Sequence, residues 1–181
     1  MKRSLMLGLS ALMLVAVPVA GVTLSSALGN GGSAIADSSQ KPNIRLQLVG
    51  EKKVVASSTT GQEEVSWKPL DAAKPGDVIR YRLSGKNQGK AGARKLALTQ
   101  PVPQGTVYVL KTATGEGTQA TFSIDGGKTF VANPTVRVKL TDGKFETQPA
   151  PAKAYTHVKW QFDQKIAANQ DVNVAYQVKV N

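Results

Sequence analysis

The chain has 181 residues, of which 41% are hydrophobic, and its 23 basic and 12 acidic residues give a formal charge of +11. It contains no cysteine, which excludes disulfides, thiol nucleophiles, thiolate metal sites and a lipid-modified N-terminal cysteine. The positive charge favours anionic partners, and it also promotes solubility.

The first 36 residues have the pattern of an export signal. Lys2 and Arg3 precede an apolar run at 5–22, and Ala-Ile-Ala at 34–36 supplies a small-x-small cleavage site. We therefore predict a signal peptide over 1–36, with cleavage after Ala27 as an alternative. The run of 18 residues is also at the lower limit for a membrane-spanning helix, so a retained anchor is a second interpretation.

Removal of residues 1–36 leaves 145 of the 181 residues, with 21 basic and 12 acidic side chains and a formal charge of +9. A chain of about 150 residues buries roughly 68–70% of its unfolded surface, which is sufficient for one domain without disulfides. We expect a short disordered lead at 37–43 and a single domain at 44–181.

The mature chain is dominated by alternation of apolar and polar residues, which is typical of half-buried antiparallel strands. This pattern predicts strands at 79–83, 136–140, 158–162 and 172–180. Shorter candidates lie at 44–49, 96–99, 106–110 and 121–124.

Turn residues separate these strands. Pro75-Gly76 fits the central positions of a type II turn, while Asp125-Gly126-Gly127 and Asp142-Gly143 predict tight hairpin connections. We expect a proline bend at 101–105 and a long loop at 148–153. Many short strands with frequent turns indicate an all-β fold with two antiparallel sheets packed as a sandwich.

From about residue 74 to residue 180 the chain resembles a family of bacterial and archaeal surface modules, catalogued as domain of unknown function eleven. The resemblance rests on Lys-Pro-Gly-Asp at 74–77, the strand at 78–83, Asn-Gln-Gly at 87–89, the strand at 95–99, the proline bend at 101–106, Trp160 and the valine-rich last strand.

The resemblance implies an immunoglobulin-like β-sandwich with no recognised catalytic constellation, so it supplies no site residues and no cofactor. Two positions depart from the family pattern. Gln100 stands where an acidic residue is common, and Gly85 interrupts a strand that is usually β-branched. A glycine there predicts a bulge or a close approach of another backbone segment.

The best candidate binding site is cationic. Arg80, Arg82 and Lys86 share one face of their strand, and outward residues on other strands are Arg137, Lys139 and Lys159. If those strands are neighbours in one sheet, they form a patch suited to anionic polysaccharide or lipid headgroups. The alternative is that outward charges only keep the strands soluble and prevent edge pairing.

The other polar residues give no catalytic, cofactor or metal site. His157 is the only histidine, and Asp125 and Asp142 precede glycines, where aspartate stabilises turns. The acidic pair at 63–64 is expected in a polar loop. Trp67 is expected to cover the end of the sandwich or to contact a sugar ring.

These observations rank three functions. The first is an exported, non-catalytic module of the periplasm or cell surface that binds an envelope or surface protein. The second is a cationic envelope protein that binds polyanions through its outward Arg/Lys face. An exported hydrolase ranks last. The sequence has no arginine-rich block, so nucleic-acid binding is not expected. Membrane contact is expected only through an uncleaved signal.

Overall fold

The computed structural model describes residues 41–57 and 63–181. Within them the chain forms eleven β-strands and a short 3₁₀ helix at Ala152–Ala154. The strands are β1 Ile44–Ser57, β2 Glu63–Pro69, β3 Val78–Asn87, β4 Ala97–Pro101, β5 Thr106–Tyr108, β6 Thr114–Gly115, β7 Thr118–Ser123, β8 Thr135–Lys139, β9 Phe145–Pro149, β10 His157–Phe162 and β11 Asp171–Val180.

The strands form two main antiparallel sheets and a separate ribbon. The large sheet has the order β2-β1-β3-β11-β5, with β6 also paired to β11, and the small sheet has the order β4-β10-β7. Strands β8 and β9 pair only with each other among the described strands. The described part of the chain is therefore an all-β antiparallel sandwich, as the alternating pattern predicts.

The core lies between the inner faces of the two main sheets. Trp160 of β10 and Tyr176 of β11 are almost completely buried, and their ring centroids are 5.9 Å apart. The Tyr176 hydroxyl donates a hydrogen bond of 2.7 Å to the carbonyl oxygen of Pro101 in the opposite sheet. Burial of Tyr176 and, to a smaller extent, the neighbouring Tyr81 raise the pKa of its hydroxyl. Apolar packing and one buried hydrogen bond thus join the sheets.

Two glycines, Gly76 and Gly85, occupy the positions that the sequence predicts for them. The amide of Asp77 donates to the carbonyl oxygen of Lys74, and Gly76 has φ +91°, so the predicted type II turn is present. A Cβ atom at residue 85 would collide with the carbonyl oxygen of Arg45 in β1, which confirms the close backbone approach expected at Gly85.

Three elements differ from the expectations. Glu63 and Glu64 begin strand β2 rather than lying in a loop. Pro149 ends strand β9, whereas a loop was expected from residue 148. Strand β1 also extends to Ser57. Strand β2 lies at the sheet edge and none of its side chains joins the core, so the short alternation around Val65 and Trp67 does not mark a buried face.

The buried side chain of Asn87, at the end of β3, joins three segments of the chain. Its Oδ1 accepts hydrogen bonds from the amides of Asn43 (3.0 Å) and Gly89 (3.1 Å). Its Nδ2 donates to the carbonyl oxygens of Ala91 (2.8 Å), Ile166 (3.1 Å) and Ala167 (3.1 Å). Asn87 therefore fixes the entry to β1, the turn after β3 and the loop before β11.

The predicted signal peptide, 1–36, lies outside the described residues, as does 37–40 of the predicted lead. In the described part of the chain, no helix has the length and apolar character needed to cross a membrane.

Replacement of Asn87 by alanine is expected to destabilise the domain by at least about 3 kcal/mol, because each buried group left unsatisfied costs about 1–3 kcal/mol. Urea unfolding, monitored by circular dichroism, measures this change. Gln88→Ala is the control, since Gln88 is an exposed neighbour, and it should leave the midpoint nearly unchanged. Equal midpoints for the two variants would contradict the assigned role of Asn87.

Candidate functional site

The exposed side of the large sheet carries a concentration of positive charge. We call the outward side chains of β1, β3 and β11 the outer face. It is placed by alternation, because the intervening residues, such as Leu48, Leu83 and Val174, pack into the core. The outer face has six basic side chains, Arg45, Lys53, Arg80, Arg82, Lys86 and Lys179, and two acidic ones, Glu51 and Asp171.

Arg80 is held rigidly in the middle of this face. Its Nε donates to Glu51 Oε2 at 2.8 Å, and its Nη2 lies 2.7 Å from the same oxygen. Its guanidinium also stacks on Trp67, with Cζ 4.2 Å from the ring centroid. The carboxylate and the ring together fix one orientation of the Arg80 side chain, and Glu51 offsets its charge.

Arg82 is less engaged. Its Nη2 lies 3.3 Å from Glu51 Oε1, and its side chain is 49% exposed. A guanidinium has five N–H donors, so Arg82 keeps donors that can bind a further anion. One carboxylate is shared by two guanidiniums, and the local charge remains positive.

A cleft of about 220 Å³ lies beside these arginines. Its walls are Arg80 and Arg82 of β3, Ala175 and Gln177 of β11, and Thr112 and Thr114. Thr112 lies in the segment between β5 and β6, where Lys111 has a left-handed backbone, φ +62°, and Thr114 begins β6. The Thr112 hydroxyl accepts a hydrogen bond from the Gln177 amide (3.1 Å), which anchors this wall to β11.

A second, wider groove of about 460 Å³ continues along the same face. It contains the basic side chains Arg45 and Lys86, which lie opposite each other on β1 and β3, and the acidic Asp171. The polar side chains around them are Gln47, Ser84, Gln88 and Asn173. The lining therefore combines cations with amide and hydroxyl groups.

The structure brings together only part of the predicted cationic set. Arg80, Arg82 and Lys86 lie on the outer face, whereas Arg137 and Lys139 lie on the β8–β9 ribbon and Lys159 lies on β10 of the small sheet. The Arg137 guanidinium stacks on Phe145 at 4.9 Å, and Lys159 Nζ lies 5.2 Å from the Phe130 ring. The condition that all six residues occupy neighbouring strands of one sheet is not met.

The prediction missed other residues of this face. The apolar positions Leu46 and Leu48 imply an outward Arg45 once β1 is recognised as a strand, so that residue was detectable. The contact between Trp67 and Arg80 joins β2 to β3 across β1 and depends on register. Trp67 is half-buried on the outer face, rather than at the end of the sandwich.

A serine, an aspartate and the single histidine do come together at the end of β7, but their hydrogen bonds do not link the serine to the histidine as nucleophilic catalysis requires. The Ser123 hydroxyl donates to Asp125 Oδ1 at 2.6 Å, and His157 Nδ1 contacts the Thr156 hydroxyl at 3.2 Å. A nucleophilic serine must pass its proton to a base such as histidine. Here the Ser123 proton points at the carboxylate, and Ser123 is buried. The arrangement is that of a hydrogen-bonded turn.

Asp125 is the centre of that turn. Its carboxylate also accepts hydrogen bonds from the amides of Lys128 (3.0 Å) and Thr129 (3.0 Å) and from the Thr129 hydroxyl (2.6 Å). Hydrogen bonds from Ser123 first, and then from Thr129, lower the pKa of this carboxyl well below its usual range. Within residues 41–57 and 63–181, no group of three or more His, Asp or Glu side chains is arranged to hold a metal ion.

No protein-family model, no curated protein and no solved structure matches this chain.

Since the folded-state pKa of Asp125 is depressed, its contribution to stability is present above the unfolded-state value of about 3.9 and is lost as the pH falls below it. We expect Asp125→Asn to lower the urea midpoint at pH 6 but to reduce the further loss between pH 4 and pH 2.5. Asp142→Asn, in the β8–β9 turn, is the matched control. Parallel pH profiles for wild type and Asp125→Asn would contradict this role.

Proposed function

We propose that this chain is an exported, non-catalytic module that binds anionic polymers of the cell envelope or cell surface. The observation that carries the proposal is the outer face, with six basic side chains against two acidic ones on three adjacent strands. Such an excess of one charge attracts polyanions and raises their rate of association. The exposed Arg82, with unused donors, offers a specific point of contact.

The finer fold assignment belongs to the same proposal. Two antiparallel sheets over a shared core, the type II turn at 75–76 and the turn after Asn87 support an immunoglobulin-like module. These features agree with the resemblance to domain of unknown function eleven. In that family the module serves as a structural unit of surface proteins, so binding rather than catalysis is the expected activity.

Export is inferred from the basic start, the apolar run and the Ala-Ile-Ala sequence. N-terminal sequencing of the protein recovered from the producing cells is expected to begin at Asp37. A mass that includes residues 1–36 in a membrane fraction would instead support the retained anchor. A start at Leu28 would identify the earlier cleavage after Ala27.

A second candidate function, protein binding, is favoured by the β8–β9 ribbon. Its side chains Val138, Leu140 and Phe145 are exposed, Phe145 by 60%. Val138 and Leu140 alternate on one face of the ribbon, and Phe145, which pairs with Lys139, lies on the other, so both faces expose apolar groups that a partner can contact. This surface agrees with an adhesive or protein-binding role, which remains compatible with polyanion binding on the outer face.

Polyanion binding is tested by retention on an immobilised acidic polysaccharide during a salt gradient. We expect Arg82→Gln/Lys86→Gln to elute at lower salt and to bind about three- to tenfold more weakly, since an exposed ion pair contributes about 0.2–1 kcal/mol. The matched control is Arg137→Gln/Lys139→Gln, which removes the same charge from the ribbon. Equal losses for both double variants would show that net charge alone is responsible and would contradict a site on the outer face.

A further inference from the structure

The cleft and the groove lie one after the other along β3. The cleft contains Arg80 and Arg82, and the groove contains Ser84 and Lys86, which are the next outward residues of the same strand. Each recess therefore has its own cation on a shared straight element. Lys86 lies four positions after Arg82 on the strand, which is about 13 Å at 3.3 Å per residue.

We propose that these two recesses are subsites for one extended acidic polysaccharide, which lies along β3 with its anionic groups on Arg82 and on Lys86 with Arg45. This inference rests on the proposed function and adds the ligand class and the minimum length that the site recognises. A ligand with a single anionic group reaches one subsite only. A ligand whose anionic groups are at least about 13 Å apart reaches both.

The lining of the recesses favours a polysaccharide over other polyanions. Hydroxyl and amide side chains surround the cations, with Thr112, Thr114 and Gln177 at the cleft and Gln47, Ser84 and Asn173 at the groove. Such groups donate and accept hydrogen bonds, as the hydroxyl groups of a sugar do. Binding of single-stranded nucleic acid uses open aromatic rings for base stacking, whereas the Trp67 ring already has Arg80 on one side.

The subsites also differ in how firmly neighbouring side chains hold their cations. Arg80 is held by Glu51 and Trp67 and forms a fixed wall of the cleft. Arg45 and Lys86 are exposed, and neither forms an ion pair with another described side chain. The groove thus offers two exposed cations beside the single carboxylate of Asp171, while the cleft offers an oriented guanidinium. A polysaccharide with repeating acidic groups can bind the cations of the cleft and of the groove at the same time.

The test measures affinity for oligosaccharides of one acidic polysaccharide in increasing length, by isothermal titration calorimetry on the exported protein. We expect a step of at least about tenfold at the length where the anionic groups span about 13 Å, because linked contacts bind with a high effective concentration. Arg82→Gln alone, or Arg45→Gln and Lys86→Gln together, should abolish the step. Inorganic sulfate, as a single anion, should show none.

Two further comparisons make the outcome decisive. A smooth rise of affinity with length, still reduced by outer-face variants, would overturn the two-subsite inference and leave the proposed function intact. If the wild type bound no acidic polysaccharide, both the two-subsite inference and the proposed function would be overturned. Tighter binding to single-stranded DNA, or to vesicles containing phosphatidylglycerol, at the same ionic strength would overturn the ligand class. The variant Arg137→Gln/Lys139→Gln should retain the step.

Discussion

The buried amide of Asn87 is the constraint on which the arrangement of the large sheet depends. An asparagine side chain has two donors and an acceptor with two lone pairs, and here five backbone groups use them. These groups belong to chain segments on both sides of β3, which therefore meet at one point without a disulfide. The cost of leaving any of them unpaired in the interior makes alternative registers of β1 and β11 unfavourable. Register, in turn, decides which side chains face water.

The outer face is a direct consequence of that register. A shift of one residue between β1 and β3 would turn Leu48 from the core to the outer face and move Glu51 away from Arg80. With the observed pairing, one carboxylate holds two guanidiniums side by side, and a tryptophan from β2 supports the first of them. The same geometry leaves Arg82 with donors to spare. Structural order and the free donors of Arg82 thus come from the same cross-strand contacts.

The sequence was sufficient to predict the central strands and insufficient to predict their neighbours. Strands β3, β10 and β11 alternate because each packs one face on the core, so their residues could be read directly. Strand β2 lies at an edge and packs no face on the core, so its short sequence did not reveal where Trp67 lies. Arg80, Arg82 and Lys86 were grouped correctly because they are local on one strand. Their grouping with Arg137, Lys139 and Lys159 failed because sheet membership depends on contacts between distant segments, which alternation does not encode.

The two tryptophans of this chain occupy opposite environments. Trp160 is completely buried beside Tyr176, whereas Trp67 is half-buried on the outer face beneath the Arg80 guanidinium. Their emission therefore reports on two different events in the same molecule. Loss of the core exposes Trp160 to water, while a change in the position or charge environment of Arg80 acts on Trp67 alone. The protein carries an intrinsic optical probe of its outer face that is separate from the probe of its folding.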